Sequence, residues 1–147
     1  RPKWPVFTPA NQKFEIGKAV TFQEGNDVTI IATGHCVWES FKAAEELEAE
    51  GLRVEVIDIH TIKPLDDEAI LKSVAKTGRV VTAEEHQMNG GLGDSVAQLL
   101  ARNNPTPIEY VAVDDSFGES GKPEELFEKY GLGKSSIVEA VKRVMKR

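Results

Sequence analysis

The chain has 147 residues, 40% of them hydrophobic and 29% charged, the size and apolar content of one globular domain with its own core. Its formal net charge of -6, with both signs interspersed, offers no basic face to nucleic acid. No apolar run approaches the ~20 residues of a membrane helix and no secretory h-region opens the chain. The expectation is therefore a soluble cytoplasmic protein with neither nucleic acid nor membrane as partner, and the single cysteine, Cys36, excludes an internal disulfide or a multi-cysteine metal site.

Pro2, Pro5 and Pro9 push the opening residues toward extended geometry, so residues 1–14 read as a linker or docking arm and residues 15–147 as the domain. Trp4 and Phe7 in that arm predict that it packs on something, either this domain or a neighbour. A first strand is predicted over Ala19 to Phe22, then a turn at Glu24-Gly25-Asn26-Asp27, then the apolar run Val28 to Thr33 of a strand covered on both faces. The short connection predicts that these two strands form an antiparallel hairpin. Val37, Phe41, Ala44 and Leu47 recur at helical spacing up to a stop at Gly51.

The pattern then repeats. Strand Arg53 to Ile59 precedes a helix from Asp66 with Ile70, Leu71 and Val74 inward and Gly78 as its stop; strand Arg79 to Ala83 precedes helix Gly91 to Arg102 with Leu92, Val96, Leu99 and Leu100 on one side. Strand Ile108 to Val113 follows, then a helix with Pro123 at N1 and a last helix opened by Ser136 and Glu139 in capping-box spacing, with Ile137, Val141 and Val144 inward. Strands alternating with helices predict an α/β fold: a three-layer α/β/α sandwich on a mixed, mostly parallel, five-stranded sheet.

In such sheets ligands gather beyond the carboxyl ends of the strands, and there this sequence is polar: Thr33-Gly34-His35, Asp58 with His60, Glu84-Glu85-His86 and Asp114-Asp115-Ser116. All three histidines fall at this edge, so His35, Glu84 and His86 are candidates for an acid-base or metal site, for helix capping, or for a contact surface. Gly90, Gly91 and Gly93 lie between a strand and a helix, where backbone N–H groups hold an anion or where glycine lets a helix start close against the sheet. The spacing fits neither the dinucleotide fingerprint nor a P-loop. Cys36 with His35 as base would make a nucleophile pair only if the thiol were accessible.

The run Thr61-Ile62-Lys63-Pro64-Leu65-Asp66, then Thr77-Gly78-Arg79, Glu84-Glu85-His86, Gly90-Gly91-Leu92-Gly93 and Asp115-Ser116-Phe117-Gly118-Glu119-Ser120-Gly121-Lys122-Pro123 together resemble the C-terminal domain of transketolase. Glu125-Leu126 and Tyr130-Gly131-Leu132 extend the likeness, which runs from Phe14 to Met145. Many relatives carry Glu-Asp-His where this chain has Glu84-Glu85-His86. Deoxyxylulose-phosphate synthase and the beta portion of 2-oxoacid dehydrogenases share parts of the pattern, and Phe117 to Pro123 favours transketolase.

The resemblance implies two-carbon ketol transfer in a parent enzyme that binds thiamine diphosphate and a divalent metal, Mg or Ca, between two other domains across a dimer interface. The Gly-Asp-Gly and Asn motif of that site is not found in this sequence. The resemblance therefore implies that this domain has no catalytic, cofactor or metal residue and that the isolated domain is inactive. Its partners would be the remaining domains or the N-terminal subunit of a split enzyme, with homodimer contacts. The start at Arg1 and the arm to Pro9 are then expected to be the tail of a preceding domain, and a small-anion regulatory module is the rival reading for His35, Glu84, His86, Gly90, Gly91 and Gly93.

Overall fold

A computed structural model describes residues 4–147, so Pro2 of the arm lies outside it. The strands are β1 (Val20–Gln23), β2 (Val28–Ala32), β3 (Val54–Asp58), β4 (Val80–Gln87) and β5 (Ile108–Val113). The helices are α1 (His35–Ala49), α2 (Asp67–Thr77), α3 (Leu92–Asn103), α4 (Pro123–Lys129) and α5 (Lys134–Val144). The sheet has the order β1-β3-β2-β4-β5, parallel except for β1.

Side chains alternate across this sheet, and each set meets its own helices. Val28, Ile30 and Ala32 of β2 face Val37, Ala44 and Leu47 of α1 and Ile137, Val141 and Val144 of α5. Ile31 of β2 and Ile57 of β3 face Ile70 and Val74 of α2 and Val96, Leu99 and Leu100 of α3. Both faces are covered by helices, which is why the central strand is uniformly buried and the fold is the expected three-layer sandwich.

The expected hairpin does not form. β1 pairs with β3, Val20 opposite Asp58 and Thr21 opposite Ile57, and β3 lies between β1 and β2. Asn26 and Asp27 donate both their N–H groups to the Arg53 carbonyl at 3.0 Å, so the turn crosses the start of β3 instead of folding back beside β2. Gly25 makes this crossing possible, because a Cβ there would lie 2.2 Å from the Val54 carbonyl carbon. The apolar β2 takes the interior of the sheet with two parallel neighbours, while the half-exposed β1 is left at the edge.

Two further expectations shift. β4 continues to Gln87, past the predicted end at Ala83, because Gln87 pairs with Val113 after an irregular step. α5 begins at Lys134 with no side-chain cap of its own, so Ser136 and Glu139 form no capping box. The Glu39 carboxylate on α1 accepts the Lys134 N–H at 3.0 Å instead. Asp66, by contrast, caps α2 as expected: one oxygen accepts from Ala69 at 3.2 Å and the other from Ala19 at 2.8 Å.

The arm packs on this domain. The Trp4 ring stacks on His35 with centroids 4.6 Å apart and also meets Phe127, while Phe7 sits among Phe22, Trp38 and Phe41.

Candidate functional site

The carboxyl ends of the parallel strands carry the chain's polar candidates, and their fates differ. Glu84 sits on β4 on the α3 side, 1% exposed. Its two oxygens accept from the Leu92 N–H at 2.7 Å and the Gly93 N–H at 2.8 Å, so a buried carboxyl group caps α3 from outside the helix. Gly90 donates its N–H to Asp94 at 2.6 Å. Three of the N–H groups that an anion would seek at this helix start are thus engaged by the chain's own carboxyls.

The glycines follow from that cap. A Cβ at Gly91 would stand 2.1 Å from a Glu84 oxygen, and one at Gly93 would stand 2.7 Å from the Tyr110 ring. Both positions bring backbone against a neighbouring side chain, the close-approach reading of glycine. Gly90, at φ 84, makes the left-handed turn into the helix.

Glu84, His86, Gly90 and Gly91 come together with Thr33, Gly34, Ile62 and Glu85 in a shallow cleft of about 320 Å³. His35 borders it through its Nδ1, 2.8 Å from Glu85, both side chains about half exposed at 41% and 51%. His86 is exposed and spends its Nδ1 on the Gln87 carbonyl at 2.9 Å. Gly93 is buried and faces away, against Tyr110 and Thr82. Among the described residues no three His, Cys, Asp or Glu side chains are placed to share a metal ion.

Cys36 is fully buried with its Sγ 3.9 Å from the Leu132 carbonyl. Burial, with the nearby Glu85, Glu39 and Glu84, pushes its thiol up to about 12. A thiol held protonated and out of reach removes the Cys36–His35 nucleophile.

The end of β3 is different in kind. Burial raises the Asp58 carboxyl above its ordinary value, partly offset by His60, and no hydrogen bond supports its charged form. Both ring nitrogens of His60 are sealed from solvent with no partner among the described residues, under the Phe14 ring at 4.5 Å. Asp58, His60 and Phe14 share a second cleft, of about 430 Å³, between the arm and β1. The polarity of the β3 end was visible in the sequence. Its lack of internal partners was not, because it depends on which side chains of other elements fail to reach it.

The exposed apolar residues gather at the same edge. The large ones are Val6, Phe14, Ile16, Ile62 and Phe117. Val6 and Phe14 flank the cleft of Asp58 and His60, and Ile62 lines the cleft of Glu84. Ile16 precedes Gly17, whose N–H is held by Thr61 at 2.8 Å. Phe117 is 99% exposed on the loop after β5, which is tied to β4 by Gln87 donating to Ser116 at 2.7 Å. No helix of the described residues is long and apolar enough to cross a membrane.

The family model "Transketolase, C-terminal domain" matches residues 17–137. A 6-deoxy-6-sulfo-D-fructose transketolase subunit of Clostridium sp. (strain MSTE9) is 49% identical over 93% of this chain and 42% of its own length. The beta subunit of the pyruvate dehydrogenase E1 component of Staphylococcus epidermidis is 47% identical over 71% of this chain and 33% of its own. A solved structure of a "Split gene transketolase, inactive beta4 tetramer" superposes with a TM-score of 0.93 at 43% identity, covering 97% of this chain and 46% of that one. This chain spans less than half the length of each. The transketolase family generally uses thiamine diphosphate; at the glycine-rich start of α3 the Leu92 and Gly93 N–H groups that a diphosphate would seek are already held by Glu84.

Proposed function

Because the chain belongs to the transketolase C-terminal domain family, we propose that it is the assembly and packing domain of a split-type transketolase and carries no part of the reacting centre. The parent enzyme moves a two-carbon ketol unit from a ketose phosphate to an aldose phosphate in the cytoplasm. Its thiamine diphosphate and divalent metal are held by the other domains, across a dimer.

The observation that carries this reading is the division at the carboxyl edge. The strand-end group most like a catalytic acid, Glu84, is consumed as a helix cap, while exposed large apolar side chains, Ile62 beside it and Val6 and Phe14 at the end of β3, are left on the same edge of the sheet. The relatives are more than twice as long, which supports a further part of the chain as the cover for this edge. The solved neighbour, an inactive tetramer of beta chains, accords with a subunit that associates without turning over.

The test is direct. The isolated chain, given a ketose phosphate, an aldose phosphate, thiamine diphosphate and Mg²⁺, is expected to show no ketol transfer; turnover would sink the reading. The likeness to the pyruvate dehydrogenase beta subunit supports a second reading, the same packing role in a 2-oxoacid dehydrogenase. Reconstitution with the rest of the subunit separates them, since one enzyme consumes a ketose phosphate and the other a 2-oxoacid.

A further inference from the structure

The cleft at the end of β3 holds two groups that the domain itself leaves unsatisfied. A buried imidazole carries at least one N–H, and leaving it without an acceptor is costly in a folded protein. Both ring nitrogens of His60 are in that position among the described residues. Beside it the Asp58 carboxyl is half-buried, lines the cleft and accepts no hydrogen bond from the described residues. Lys13 also lines the cleft, but it makes no ion pair with Asp58 among the described residues.

The walls narrow the chemistry. Val6, Phe14, Val20 and Phe22 line the cleft with apolar surface above this polar floor. Such a site suits a group with an apolar stem and a hydrogen-bond-donating, positively charged head. Arginine or lysine has both, and the planar guanidinium can also lie against an aromatic face. The net charge of -6 favours the approach of a cation. Val6, Phe14 and Ile16, all exposed, continue the site into the apolar docking edge.

We propose that this cleft receives an arginine or lysine from the part of the longer subunit that this domain packs against, its head seated on Asp58 and its stem along Phe14 and Val6. The proposal rests on the packing reading and adds to it one anchoring contact of stated charge.

The probe is N-acetyl-arginine amide, titrated to tens of millimolar into the isolated chain while the His60 and Phe14 ring resonances are followed by NMR. Saturable shifts of both rings are expected, reduced at least fivefold in Asp58→Asn and absent with the neutral isostere N-acetyl-citrulline amide. No shift in the unaltered chain, an equal shift in Asp58→Asn, or an equal shift with the citrulline analogue would each overturn the proposal. The two readings fail separately. A null titration leaves the packing role standing on its apolar edge, whereas ketol transfer by the isolated chain would remove that role whatever the titration gives.

Discussion

Glu84 and Asp58 occupy equivalent places, each an acidic residue at the carboxyl end of a parallel strand, and the fold treats them in opposite ways. Glu84 is more deeply buried, yet both its oxygens are met by α3 N–H groups. Asp58 is less buried, yet no hydrogen bond from the described residues reaches its carboxyl, and burial raises it. Depth therefore does not distinguish structure from site. Satisfaction does: a group that finds its partners inside the domain has finished its work there, and one that does not is available to something outside.

The largest effect is expected from removing the satisfied group. Glu84→Ala would leave the Leu92 and Gly93 N–H groups unpaired beside a cavity, costing roughly 3 kcal/mol. At this chain length that is a fall of roughly 6–12 °C in Tm. Glu84→Gln keeps an acceptor for one of the two donors and should cost about half as much. Calorimetry of the two variants checks the ranking; an Ala variant as stable as the parent would mean that Glu84 is not the cap.

Next is the arm that closes the β3 cleft. Trp4→Ala deletes the stack on His35 and the contact with Phe127, worth about 1 kcal/mol. Hydrogen exchange should quicken in residues 5–17 and leave the α3 N-terminus protected, because Glu84 holds that helix without help from the arm. Exchange rising equally at both places would show that the two strand ends are not independent.

The division of labour was only partly legible beforehand. Helix ends, the layer each apolar residue joins and the α2 cap by Asp66 follow from local signals, because periodicity and turn residues act within a few positions. The placement of β1 beyond β3 did not, since the short connection to β2 predicted a hairpin and only the packing of Gly25 on Val54 turns the chain aside. Glu39 as the cap of α5 was hidden for the same reason, its partner lying 95 positions away. Glu84 and the glycines Gly90, Gly91 and Gly93 were recognisable as a group, but whether they served an anion or one another depended on Cβ clearances that no spacing rule contains. Glu55, an acid between Val54 and Val56 in the apolar run of β3, was a further visible signal: it is buried and paired with Lys76, whose ammonium Glu24 and Glu55 together hold above its ordinary range.

Asp58→Asn should act in the direction opposite to the Glu84 variants and stabilise the isolated chain at neutral pH by roughly 0.5–1 kcal/mol, by removing a poorly solvated charge. The pH dependence fixes the cause. Because the folded Asp58 carboxyl lies above its ordinary 3.8, the fold binds that proton more tightly than the unfolded chain does. Its favourable contribution is complete below the unfolded value and is lost as pH rises through the raised one. The stability gap between variant and parent should accordingly be narrow at low pH and widen toward neutrality. A gap that does not change with pH would assign the gain to shape instead of charge.

Phe117→Ser should have the smallest effect on the isolated chain. The ring is 99% exposed, and what holds its loop is backbone: the Phe117 carbonyl accepts from the Tyr130 hydroxyl at 3.0 Å, and the Ser116 carbonyl from Gln87. Removing a side chain that touches nothing should move stability by less than about 0.5 kcal/mol. The same substitution in the longer subunit should cost association, since an exposed ring amid an apolar edge gains only when a partner covers it. Sedimentation of the assembled enzyme with and without the substitution, beside melting of the isolated chain, reads both sides. Unchanged assembly would take Phe117 out of the docking edge and leave that edge to Phe14, Ile16 and Ile62 near the end of β3.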